Sequence, residues 1–194
     1  ESLSGLKGYT YNLENDEIKK VKLKSTEVFS ESMSKYYDEK KFAMPNVKEG
    51  SVIEYQYKIV SPFSYSIDEI ELQYDIPIKK QEISITIPEY YSFKTNIKGY
   101  LAVKPLYGST NGKITFNNTE RSRRNLTSSV RYSTSSLDYK NNKTSYKMMD
   151  VPALKEEPFV NNMDNYRSSV NYELQFVKFP DSPIKNYATT WEKV

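Results

Sequence analysis

The chain predicts an all-β protein, an antiparallel β-sandwich, on three observations. Apolar and polar residues alternate with period two in several separate stretches, as strands with one packed and one wet face do. Turn chemistry recurs about every ten residues, which suits about eight to ten short strands better than βαβ units. Val, Ile, Thr, Tyr and Phe are abundant while only four Ala occur in 194 residues, so intrinsic preference favours strand over helix.

Taken in order, 9–13 and 18–23 alternate weakly around Asn15-Asp16, a hairpin signal. Glu49-Gly50 precedes 51–60, where Ile53, Tyr55, Tyr57 and Ile59 share one face of a half-buried strand. Ile70, Leu72, Tyr74 and Ile76 form the next such face, and Ile83, Ile85 and Ile87 another. Pro77 and Pro88 close these strands, because proline donates nothing to a central ladder. Gly108-Ser109 and Asn111-Gly112 are further turn candidates, and the polar, basic stretch 117–147 reads as two long exposed hairpins with weak strands at 126–132 and 146–149. The longest alternation spans 166–179, with Val170, Tyr172, Leu174 and Phe176 on one side. Ser182-Pro183 then offers an N-cap and a first helical position for a short helix start over 184–194. The expected organisation is one sandwich domain over 1–182, followed by a linker or helix start over 183–194.

The core leans on tyrosine. Leu, Ile, Val and Phe supply 44 residues, and the 18 Tyr bring the total to 62. Each Tyr ring can bury on the order of 150–250 Å², enough to lift the chain clear of disordered compositions.

The chain holds no Cys and no His. That excludes disulfides, thiolate nucleophiles, imidazole ligands and Ser–His or Cys–His pairs, leaving carboxylate, Lys and Tyr chemistry. Glu156-Glu157 is the nearest acidic pair, held between Pro152 and Pro158. Adjacent side chains point apart, whereas a glycosidase needs two carboxylates facing each other across a cleft. The pair therefore reads as structural or interfacial, with one Glu capping backbone N–H groups, and no catalytic residue is assigned. No calcium-loop pattern and no phosphate-cradling Gly-rich loop occurs, so no metal or cofactor is expected.

A net charge of +3 is too small to announce a nucleic-acid partner. Charge is concentrated over 113–147, with eight basic residues against two acidic. Within it Arg121, Arg123 and Arg124 are a candidate anion site, since guanidinium forks bind carboxylate, sulfate or phosphate. The alternative is a solvated hairpin tip. Tyr doublets at Tyr36-Tyr37 and Tyr90-Tyr91 put one ring on each strand face, so one of each could stack on sugar rings. Three Asn-x-Thr triplets begin at Asn117, Asn125 and Asn142, a pattern frequent by chance in an Asn-rich chain. No apolar run is long enough for a membrane helix, and no segment reads as a signal peptide. The first residue is Glu rather than Met, so an upstream segment is expected.

Five ordered blocks carry a family resemblance: Lys7-Gly-Tyr-Thr-Tyr-Asn-Leu-Glu14, Phe42-Ala-Met-Pro-Asn-Val-Lys-Glu-Gly-Ser-Val-Ile-Glu-Tyr55, Ile76-Pro-Ile78 with Ile87-Pro-Glu-Tyr90, Asp150-Val-Pro-Ala-Leu-Lys-Glu-Glu-Pro-Phe159, and Tyr187-Ala-Thr-Thr-Trp-Glu192. Together they resemble the domain of unknown function that lies N-terminal to a transglutaminase-like domain in large bacterial exported proteins. The resemblance implies an immunoglobulin-like sandwich, an exported, periplasmic or cell-surface setting, and a downstream papain-like core using Cys, His and Asp. None of that triad can be placed on this chain. Family members carry further strands before the Lys7 block, so N-terminal strands are expected to be missing here. The implied role is a non-catalytic accessory module that positions or gates the downstream core. Its expected interface is the stiff segment Pro152, Leu154, Glu156, Glu157 and Pro158, together with Trp191 as aromatic anchor; alternatively, Trp191 caps the sandwich. A second expectation is a module binding glycan, cell-wall polymer or peptide through exposed Tyr and the Arg cluster.

Overall fold

A computed structural model describes residues 1–35, 38–124, 127–155, 158 and 160–188, with the side chains of 122–129 outside the description. The chain is all-β and antiparallel, and its only helical segments among the described residues are two short 3-10 turns. It divides into two compact units, Glu1–Ser64 and Tyr65–Val194.

In the first unit, β1 (Ser2–Glu14) is the centre of a three-stranded sheet, flanked by β2 (Glu17–Lys22) and β5 (Val52–Val60). The Asn15-Asp16 hairpin forms as expected. Both residues take positive φ, 52° and 61°, the geometry of a type I′ turn that follows the twist of its strands. A 3-10 turn, Ser25–Glu27, leads into a second hairpin of β3 (Val28–Ser32) and β4 (Asp38–Phe42). The interior here is small and partly polar: Leu23, Thr10 and Asn12 are buried. Asn12 ties down the loop that precedes β5, donating to the Asn46 carbonyl at 2.8 Å and accepting from the Ser51 hydroxyl.

The alternation of β5 marks a strand but not a half-buried one. Every residue of Val52–Val60 is exposed, including Tyr55 and Tyr57 at 55% and 52%. Among the described residues β5 is an edge strand paired only with β1, and the ring of Phe42, 5.5 Å from that of Tyr55, covers little of its apolar face.

The second unit contains two sheets. In one, β10 (Thr127–Val151) lies between β7 (Ile78–Pro88) and β9 (Leu106–Arg124). In the other, β11 (Ser169–Val177) pairs along its length with β8 (Tyr91–Lys98). The opposite edge of β11 is shared by β6 (Ile67–Glu71) and β12 (Lys185–Asn186). Leu72, Tyr146, Val170 and Tyr172 form the core, with Ile83, Ile85, Ile87, Met148 and Phe93 packed around them. Because the period is two, Ile83, Ile85 and Ile87 of β7 fall on the face that carries Tyr146, which sits opposite Ile83. The Tyr146 and Tyr172 hydroxyls meet at 3.0 Å inside this core. Burial, and then this hydrogen bond, push the Tyr172 phenol well above its ordinary pKa.

Several expectations are corrected. The run ending at Ile76 leaves strand geometry after Glu71, because Gln73 and Tyr74 bond instead to the segment beginning at Pro152. Along β11 the register with β8 shifts between Leu174 and Phe176. One slipped residue reverses the faces, so Val177 is buried and Phe176 is 37% exposed. Gly108-Ser109 and Asn111-Gly112 are not turns but lie within β9, and 117–147 is one hairpin rather than two. At Gly112 the ring of Tyr139, opposite in register, occupies the space that a Cβ would need. Lys185 and Asn186 do not start a helix, since they pair with Val177 and Phe176. Tyrosine fills less of the core than expected: among the described residues only Tyr146 and Tyr172 are buried.

Candidate functional site

The segment after β10 frames a concavity of the second unit. Asp150 adopts φ of 51°, a conformation Asp tolerates better than most residues, one residue before the ladder's last pair, Val151 opposite Ile78. Lys79 Nζ holds its carboxylate at 2.6 Å. Pro152 and Leu154 then run beside residues 73–74, where the Gln73 amide donates to the Pro152 carbonyl at 3.1 Å and the Leu154 N–H donates to the Tyr74 carbonyl at 2.8 Å. Across from them stands the 3-10 turn Met163–Asn165, capped by the Asn162 side chain, which accepts the Asp164 N–H at 2.9 Å.

Arg167 locks this arrangement. Its side chain is 16% exposed, donates to the Gln73 carbonyl at 3.1 Å and to Asp164 at 3.3 Å, and lies 3.7 Å from Glu71 and 3.5 Å from Asp75. A guanidinium with this many acceptors stays charged and fixes the surrounding backbone.

Between these elements lies a cavity of about 480 Å³, lined chiefly by Tyr100, Leu101, Pro152, Leu154, Met163 and Tyr166. Tyr100 is 85% exposed at its rim. The lining is mostly apolar with a rigid, hydrogen-bonded frame, a surface suited to receiving an apolar side chain.

Of the expected interface residues, Pro152 and Leu154 line this cavity, and Pro158 is exposed. Glu156, Glu157 and Trp191 lie outside the described residues. Arg121 is exposed in β9 opposite Val130, and the backbones of Arg123 and Arg124 continue that strand opposite Ser128 and Thr127. The Arg triplet therefore sits at the end of a ribbon, far along the strand from any described cavity lining. Tyr90 and Tyr91 are both half-buried against Phe179, at ring separations of 5.6 and 5.8 Å, so neither is the free ring expected of the doublet. Tyr36 and Tyr37 lie outside the described residues.

Gln73, Tyr100, Met163 and Arg167 have no local sequence signal. Arg167 in particular reads as one more polar residue on the wet side of 166–179. Among the described residues no group of acidic side chains is arranged to hold a metal, and no helix is long and apolar enough to cross a membrane.

No curated protein and no solved structure matches the chain. Its residues 1–130 match DUF3857, a Domain of Unknown Function, and the chain belongs to that family.

Proposed function

We propose that this chain is a non-catalytic accessory β-module of a bacterial exported protein, periplasmic or cell-surface, that positions or gates a transglutaminase-like, papain-like core in the same polypeptide. The observation that carries the reading is the apolar cavity framed by Pro152 and Leu154, in one of the two blocks that make the resemblance specific. A rigid rim with an apolar floor suits docking of a neighbouring domain, with Trp191 as a second anchor. The absence of Cys and His from the sequence leaves the chemistry to that neighbour.

Two measurements test it. The reading frame after Val194 should encode Cys, His and Asp in papain-like order, and a frame without them overturns the proposal. In the polypeptide carrying both parts, Leu154→Asp and Trp191→Ala should each speed proteolytic separation of the parts while leaving the melting temperature of this module nearly unchanged. Unchanged proteolysis in both variants rejects the interface.

A second reading, a glycan or cell-wall-polymer binding module, is favoured by one observation. The Tyr55 and Tyr57 rings lie 6.4 Å apart and within 6° of parallel, more than half exposed on β5, the arrangement of a stacking platform. A polysaccharide array should then lose its signal in the Tyr55→Ala/Tyr57→Ala variant.

A further inference from the structure

The first unit holds a different cavity, of about 780 Å³, opened by three features of its strands. β2 stops pairing with β1 at Lys22 opposite Tyr9, so among the described residues the earlier part of β1 has no strand on that side. The register of β1 against β5 shifts between Ser4 and Lys7. Gly5, at φ of 64° with open space around its Cβ position, makes the bulge that turns this part of β1. The hairpin residues Val28 and Lys40 form the facing wall.

The lining combines two chemistries. Leu3, Leu6, Leu23 and Val28 give it an apolar floor, and Lys7, Lys22, Lys24 and Lys40 surround it, with no acidic residue among the lining. None of these four lysines forms an ion pair among the described residues, although lysines elsewhere in the same unit do, as Lys19 and Lys48 with Glu14 and Lys41 with Glu31 and Glu39. The unit as a whole carries as many acidic as basic side chains. The positive charge is thus a local concentration at one concavity, which raises the local concentration of an anion. The volume falls within the range of small-molecule sites, roughly 300–1,000 Å³.

We propose that this cavity binds a small anionic amphiphile, a carboxylate or phosphate headgroup held by Lys7, Lys22, Lys24 and Lys40 with an aliphatic stem on Leu3, Leu6 and Val28. Ammonium groups on flexible stems converge on a compact anion without needing a fixed fork geometry. The aliphatic floor adds a favourable term for each methylene of the stem that leaves water.

Calorimetric titration of the whole chain tests this with octyl phosphate, octanoate, inorganic phosphate and the neutral octyl glucoside, each as monomer. Both octyl anions should bind saturably, about tenfold or more tighter than inorganic phosphate and with affinity falling as salt rises. Whichever anion binds tighter identifies the headgroup class. Lys22→Gln/Lys40→Gln should weaken both octyl anions about tenfold, and Leu6→Ser should weaken them while leaving inorganic phosphate unaffected. All three changes are at exposed or half-exposed positions, and circular dichroism matching that of the parent chain establishes that each variant is folded. Equal binding of octyl glucoside, equal binding of inorganic phosphate, or unchanged affinity in the lysine variant overturns the proposal.

Discussion

In the unit Tyr65–Val194 two sheets close on one another, and Leu72 and Val170 are wholly inaccessible between them. In the unit Glu1–Ser64 one sheet carries the same kind of alternating strands, yet Leu23 is its only buried large aliphatic among the described residues. The contrast is sharpest between β7 and β5. Ile83, Ile85 and Ile87 pack on the core, whereas Ile53, Tyr55, Tyr57 and Ile59 do not. Alternation makes a strand in both places, but burial requires a second layer, and only the second unit supplies one. The first unit is held instead by polar ties: Asn12 to the loop before β5, Tyr11 to Glu54 at 2.6 Å, and Lys20 over the Tyr9 ring at 3.8 Å.

The largest test of this contrast is Tyr172→Ala, which should cost about 3–5 kcal/mol by opening a cavity. Tyr172→Phe should cost about 1–3 kcal/mol, because it strips the buried Tyr146 hydroxyl of its partner. Tyr55→Ala should change stability by no more than about 0.5 kcal/mol. Urea denaturation curves decide it, and an equal loss at Tyr55 and Tyr172 would break the comparison.

Next comes a pair of glycines in the left-handed region. Gly5→Ala places its Cβ in open space, so only the backbone conformation opposes it, by about 1–2 kcal/mol. Gly99, at φ of 91°, would drive the same Cβ into the backbone and side chain of Ser168. Gly99→Ala should therefore cost more than Gly5→Ala, since a buried residue must also move. Matching melting temperatures for the two variants would show that the second unit yields as easily as the first.

Alkali sharpens the comparison further. The folded state raises the Tyr172 phenol above its ordinary value of 10.0, so the fold disfavours the phenolate. Its contribution to stability is complete below that value and is lost as pH rises past it. The Tyr172 phenolate should develop only as the unit opens, and Tyr172→Phe should flatten the loss of stability above pH 10. Ionisation of Tyr172 with the near-ultraviolet dichroism intact would contradict its burial.

Much of this architecture was legible in the residues, and what was not has a physical cause. Asn15-Asp16 announced its hairpin because few residues accept positive φ at both central positions. Ile83–Ile85–Ile87 announced a strand because β7 is regular. The reversal at Phe176 depends on the register that β8 imposes across the ladder, which no local pattern contains. The helix start signalled by Pro183 lost to an open edge of β11, which offered Lys185 and Asn186 ladder bonds at Val177 and Phe176. Gly112 resembled a turn because its partner Tyr139 is 27 residues away. At the candidate site, Pro152 and Leu154 stood out as a stiff block. Gln73 and Arg167, which anchor that block, come from opposite ends of the second unit and only the fold joins them.

The smallest expected effect belongs to the polar ties of the first unit. Hydrogen bonds and charge from Lys19 and Lys48 hold the Glu14 carboxyl at about 2, below its ordinary 4.5. The fold thus favours the carboxylate, and this contribution is present above pH 4.5 and is lost as pH falls from there toward 2. Glu14 is only 27% exposed, but both lysines are more than half exposed, so salt should screen much of the effect. Glu14→Gln should remove the part of the acid-induced loss of stability that falls in this window, and adding salt should narrow the gap between variant and parent. The second unit offers a control in Lys79 and Asp150, an ion pair exposed at 82% and 66%. Asp150→Asn should therefore change acid stability less than Glu14→Gln does. The opposite ranking would mean that the first unit does not depend on these ties, and that its thin interior carries more of its stability than burial alone accounts for.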